Sequence, residues 1–114
     1  MQETKKNTEN RVRKPMDENV IYVGIKPFTN YVMALITMIA RKKKEIKVIA
    51  RGKFISKAVD IVEVAKNRFS SEENRIEIIN IKTDSEKFIQ RGENGREREI
   101  TVSVIEITVK KKNE

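Results

Sequence analysis

Apolar residues fall along this chain first in a strand-like rhythm, then in a helical one, and the alternation repeats. Residues 19–25 (N-V-I-Y-V-G-I) form a short β-branched and aromatic run, which predicts a buried strand. Gly24 and Pro27 punctuate its end, and Pro27 suits a first helical turn, where a missing N–H is no loss. From there to about residue 42 the period is helical. Tyr31, Leu35, Met38 and Ile39 trace one stripe, Val32, Ile36 and Ala40 lie beside it, and Met33 widens it. A stripe this wide predicts burial against more than the chain's own sheet.

Residues 41–44 (R-K-K-K) make a basic turn, and residues 45–50 (E-I-K-V-I-A) read as a second strand. Residues 51–53 form a loop. Ser56 is the expected cap of a second helix, with Asp60 and Glu63 in its first two turns. Through Phe69 this helix carries Ile55, Ala58, Val59, Val62, Ala65 and Phe69 on one stripe, and Phe54, Ile61 and Val64 on a narrower one. Two such faces cannot both pack on a single sheet, so one is expected to meet another chain.

After a polar turn at 70–74, residues 75–82 alternate apolar and polar except at Ile78-Ile79, as a half-buried strand would. Residues 100–109 form a long strand in which Val104-Ile105 breaks the alternation. The segment between, 83–99, is polar, charged and contains Gly92 and Gly95; a connection of that length calls for a functional reason or disorder. Two consecutive strands joined in this way form a hairpin. Residues 1–18 offer only Val12, Pro15 and Met16 among polar neighbours and are expected to be a disordered tail, ahead of one domain over 19–112. The order β-α-β-α-β-β predicts an α/β two-layer sandwich, both helices on one face of a four-stranded sheet.

Charge narrows the function. Lys and Arg number 25 against 17 acids, a net charge of +8 in 114 residues. Such an excess on one small domain usually faces a polyanion, nucleic acid or an anionic membrane; the bland alternative is the Lys- and Glu-laced surface of a protein from a hot-living organism. Cysteine and histidine are both absent, which removes disulfides, thiolate metal sites and hydrolases built on a Ser-His or Cys-His pair. No cofactor is expected. The start of the chain lacks an apolar signal segment, and the longest apolar run, 31–40, is half of what a membrane span needs, so a soluble, intracellular protein is expected.

Three stretches resemble the Alba (Sac10b) family of archaeal chromatin and RNA-binding proteins. Gly24-Ile25-Lys26-Pro27-Phe28-Thr29-Asn30-Tyr31-Val32 is similar to the family's G-K-K-P-x-x-N-Y-V loop and helix start. Ala50-Arg51-Gly52-Lys53-Phe54-Ile55-Ser56-Lys57-Ala58-Val59-Asp60 is similar to its A-R-G-x-x-I-S-K-A-V-D segment, followed by Asn67-Arg68-Phe69. Gly95-Arg96 and Ile105-Glu106-Ile107 resemble the arm tip and last strand. The resemblance implies the fold of the C-terminal domain of bacterial translation initiation factor 3, with a long hairpin arm. It implies a dimer, of identical chains or with a paralogue, whose arms reach along the minor groove while central loops cover the phosphates. It implies non-enzymatic, largely sequence-independent binding of double-stranded DNA and of RNA, with dimers meeting side by side at Phe69, in the cytoplasm on the chromosome. Relatives also serve as RNA chaperones or subunits of RNA-processing particles, so a mainly RNA-directed role stands as the alternative. Two departures matter. Ile25 replaces the family Lys that is acetylated in some members, and the arm charges from Glu86 to Glu99 sum to zero.

Lys26, Arg51 and Lys53 lie on two loops that follow parallel strands and so are expected on one rim, with Lys57 a turn into the second helix and that helix's positive end beside them. They are the expected phosphate contacts. Asn30 is expected either to bind phosphate or to cap its loop, and Tyr31 to be core. Arg91, Arg96 and Arg98, near the arm glycines, fit a narrow groove, against the alternative of arm charges that pair with one another. Asp60 and Glu63 could hold Mg²⁺, but Lys57 and Lys66 at helical spacing make ion pairs the cheaper explanation. Residues 41–44 either face the polyanion or complement the first helix's dipole.

Overall fold

A computed structural model describes residues 19–41, 45–68 and 75–112. The expected tail at 1–18, most of the basic turn (42–44), Phe69 and the polar turn at 70–74 lie outside the described residues. The elements are β1 (Val20–Tyr22), α1 (Phe28–Arg41), β2 (Ile46–Arg51), a single 3-10 turn (Gly52–Phe54), α2 (Ile55–Arg68), β3 (Ile76–Arg91) and β4 (Glu97–Lys111). They form one mixed sheet in the order β1-β2-β4-β3. β1 runs parallel to β2, which needs the crossover that α1 provides, and the other pairings are antiparallel. The α/β two-layer sandwich read from the residue pattern is the architecture found.

Alternation along the strands decides which side meets the helices. Ile46, Val48 and Ala50 of β2 and Ile105, Ile107 and Val109 of β4 point to α1 and α2 and join one core with Leu35, Ile39, Ala58, Ile61, Val62 and Ala65. Lys47, Ile49 and Arg51 take the opposite face, since neighbouring strand residues point to opposite sides. Val104 is buried outside that core, on the face of Arg51, its partner in the ladder. The Val104-Ile105 pair thus covers both faces of a central strand. The Ile78-Ile79 pair has another cause: the ladder shifts between Ile78 and Asn80, so Ile79 is a bulge residue, 37% exposed.

Three expectations change. The first strand is shorter than 19–25, because the chain leaves the ladder after the Val23 amide bonds the Ile49 carbonyl (2.9 Å). Gly24's amide is taken by the Tyr31 hydroxyl instead. Ser56 does not cap α2: the 3-10 turn, entered through Gly52 at φ +54°, starts the helical path earlier and leaves Ser56 inside the helix. The two apolar stripes of α2 are not separate faces. Its buried residues, Ala58, Ile61, Val62 and Ala65, mix members of both, because α2 lies against α1 as well as the sheet. The long hairpin arm that the resemblance implies is present: the polar segment 83–99 is mostly ladder, with β3 and β4 paired from Ile76↔Lys111 to Arg91↔Glu97.

Candidate nucleic-acid interface

Sheet topology gathers three features at one end of the molecule. Because β1 and β2 are parallel, residues 23–27 and the turn Gly52–Phe54 leave the sheet at the same edge. Pairing of β2 with β4 ends at Arg51↔Val104. Beyond that point β3 and β4 continue alone, in the same direction, as a two-stranded arm. From Asp84 to Arg91 this arm extends roughly 23 Å at strand rise.

The loop after β1 is held from two sides. Tyr31, buried in α1, accepts hydrogen bonds through its hydroxyl from the amides of Gly24 (2.9 Å) and Lys26 (3.3 Å). From α2, the Lys57 ammonium donates to the carbonyl oxygens of Gly24 (2.6 Å) and Lys26 (2.7 Å). That ammonium also lies 5.1 Å from the Tyr31 ring centre and 5.8 Å from that of Phe54. The exposed Lys53 has its ammonium 5.4 Å from the same Phe54 ring. Lys26 and Ile25 stand outward between these anchors, and Ile25 is 87% exposed.

Arg51 joins this rim to the arm. Its Nε and Nη2 donate to the two carboxylate oxygens of Glu86 at 2.7 and 2.9 Å, a fork that fixes both planes. The hydrogen bonds from Arg51 hold the Glu86 carboxyl below the usual glutamate range, and the same bonds raise the guanidinium pKa further. Both side chains remain open to water, so their mutual attraction is modest and anions can compete for Arg51.

At the arm's tip the Gly92 amide bonds the Arg96 carbonyl (2.7 Å), the Gly95 amide bonds the Gly92 carbonyl (3.1 Å), and Gly95 sits at φ +82°. That is backbone a side chain would strain. Arg91 is partnered by Glu97 at 2.8 Å. Among the described residues no ion pair involves Lys87, Arg96 or Arg98. The zero sum of the arm therefore conceals an imbalance. Glu86 is neutralised by Arg51 from outside the arm and Glu97 by Arg91, leaving Lys87, Arg96 and Arg98 against Glu93 and Glu99.

Lys26, Lys53, Lys57, the start of α2 and, at the arm's root, Arg51 thus share one end, as the parallel strands required. Lys57 is turned inward, toward carbonyls. Asn30 is exposed in the first turn of α1, its amide bonded to the Pro27 carbonyl at 3.0 Å. Arg41 closes α1 about 20 Å along the helix from the rim, where it complements the dipole. Of the expected ion pairs on α2, Lys66 meets Glu63 at 3.1 Å, whereas Lys57 goes to the loop and not to Asp60. Among the described residues no acidic group of three or more is placed to hold a metal ion. Sequence reasoning missed Glu86 as the partner of Arg51 and the anchoring by Tyr31 and Lys57. Their spacings of 35 residues for the first and 31 to 33 for Lys57 give no local signal.

Known proteins are similar to this chain in sequence and fold. The Alba family profile matches residues 19–85. A DNA/RNA-binding protein Alba from Methanocella arvoryzae is 41% identical over 96 residues, 83% of this chain and 92% of that protein. Alba from Thermoplasma volcanium superposes with a TM-score of 0.67 at 39% identity, covering 82% of this chain and all of the other. ALBA1 from Trypanosoma brucei gives 0.61 at 25% identity, covering 89% of this chain and 74% of the other. With the sandwich, the rim and the arm in place and the profile matched across most of the domain, this chain belongs to the Alba family.

Proposed function

We propose that this protein binds nucleic acid through phosphates, largely without regard to sequence, as a non-enzymatic coating and compacting protein of the chromosome in the cytoplasm. One observation carries the reading: the Lys26 loop, the Arg51–Lys53 segment and a basic-tipped arm all project from one end of the sheet. Lys26, Lys53 and Arg51 take phosphates, with Asn30 at their edge, while Arg96, Arg98 and Arg91 enter the minor groove, where Arg is favoured electrostatically. The relative named as a DNA/RNA-binding protein supports the class of partner. No cofactor or metal takes part.

The working unit is a dimer, of identical chains or with a paralogue. A lone two-stranded ribbon is marginal in water. Here Ile89 on the ribbon and Ile81 below its root, 65 and 57% exposed, are open on the helix-facing side, Phe88 is 44% exposed on the other, and Val59 of α2 is also open. A second copy covering the helix-facing side of β3 would bury Ile81 and Ile89. Side-by-side contact of dimers at Phe69, which lies outside the described residues, belongs to the same reading.

A second reading, mainly RNA-directed, draws on Phe88, whose exposed ring on the arm offers a stacking plane to an unpaired base. The test is a salt titration of binding to duplex DNA and to structured RNA in competition. With on the order of 6 to 10 phosphate contacts per dimer, affinity should fall about 10³-fold or more between 50 and 200 mM salt. A slope near zero would discard the proposal, and preference for the RNA would select the second reading.

A further inference from the structure

Lys57 is the rim cation whose charge points into the protein. Two of its three donors are spent on the Gly24 and Lys26 carbonyls, and its ammonium is stacked near Tyr31 and Phe54. The Tyr31 hydroxyl takes the amides of the same two residues. The loop is thus fixed at both peptide groups of alternate residues, by one helix each, and the residues between and beyond the anchors are forced outward. A lysine tied in this way presents little of itself to a phosphate.

We propose that Lys57 is a positioning residue for phosphate binding: it shapes the 24–26 loop so that Lys26 reaches the polyanion, and acts through Lys26 instead of touching phosphate. This rests on the nucleic-acid reading above. A free loop would have to be ordered at each binding event, at an entropic cost that the Tyr31 and Lys57 anchors meet in advance. Methionine at 57 retains the stem against the two rings while removing the donors and the charge.

The experiment is a double-mutant cycle on a labelled mixed-sequence duplex, with Lys57→Met, Lys26→Ala and the pair, each measured across salt. Each single substitution should weaken binding about 5-fold or more and reduce the salt slope, since each loses the same phosphate contact. The double variant should bind no worse than the weaker single by more than about twofold. Multiplying losses would overturn the proposal, because an independent phosphate contact, a general field effect or loosened folding would each persist in the Lys26→Ala background. Amide resonances of Gly24 and Lys26 should move in Lys57→Met while those of the β4 core stay in place; unmoved loop resonances would also overturn it. If Lys57→Met does not fold, Tyr31→Phe provides the second variant, losing only the hydroxyl acceptor and predicted to show the same lack of additivity with Lys26→Ala. A wild-type protein that binds steeply with salt but gives a multiplicative cycle sinks the positioning role alone. A wild-type protein that does not bind sinks both readings.

Discussion

Body and arm hold cations in fixed places by different means. In the body, the loop bearing Lys26 is anchored by side chains rooted in buried helices, Tyr31 of α1 and Lys57 of α2. In the arm, order comes from the ladder itself and from ion pairs at root and tip, Arg51 with Glu86 and Arg91 with Glu97, with hardly any side chain withdrawn from water. The contrast teaches that a rim can be stiff before any ligand arrives, while a two-stranded arm takes its final stiffness from what it touches.

The comparison can be broken most severely through the core. Leu35→Ala, at a fully buried site in α1, should cost about 2 to 5 kcal/mol in a denaturant titration, whereas Gln90→Ala, exposed on the arm, should change stability by roughly 0.5 kcal/mol or less. Equal losses would mean the arm is part of the monomer's cooperative unit. Next in size, the Lys26→Glu, Arg51→Glu double reversal should lower duplex affinity on the order of 100-fold and flatten the salt slope, as read by fluorescence anisotropy. Replacing Arg91, Arg96 and Arg98 together by Gln should weaken binding about 10-fold with an unshifted melting temperature. A large shift would contradict an arm without a core.

The smallest effect tests the joint between the two regions. Glu86→Gln releases Arg51 and should tighten phosphate binding by about 2- to 5-fold, the scale of an exposed pair. Protonation does the same. Glu86 is held below its ordinary value of about 4.3, so the pair is intact above that pH and is lost as pH falls through the lowered one. Arm-root resonances should therefore titrate at acidic pH in the wild type and stay still in Glu86→Gln.

Most of the fold was legible because its signals are local. The helical period from Tyr31 to Ile39 and the alternation of residues 45–50 each record a buried side that the structure also buries. The arm was harder to read, since beyond Val104 both faces meet water and a polar ladder such as Ser85, Glu86 and Lys87 resembles a loop. Ser56 misled because its preference for caps is real, but the Gly52–Phe54 turn had already begun the helical path. The cations of the site could be gathered from topology alone. What each ammonium or guanidinium faces could not, because Lys57 and Arg51 find partners on elements more than thirty residues away.

Ile79 takes up one residue of slack between two separately set registers. In an unbroken ladder Ser85 would stand opposite Val102 on the side of Arg51, and Glu86 would turn to the helices' side. With the bulge, Glu86 occupies that place. Excising Ile79 would leave the pairing of Asn80 onward as it is, whereas losing one residue farther along, such as Thr83, would turn Glu86 away and uncouple arm from rim. A single spare residue at the strand's base thus works as a clutch.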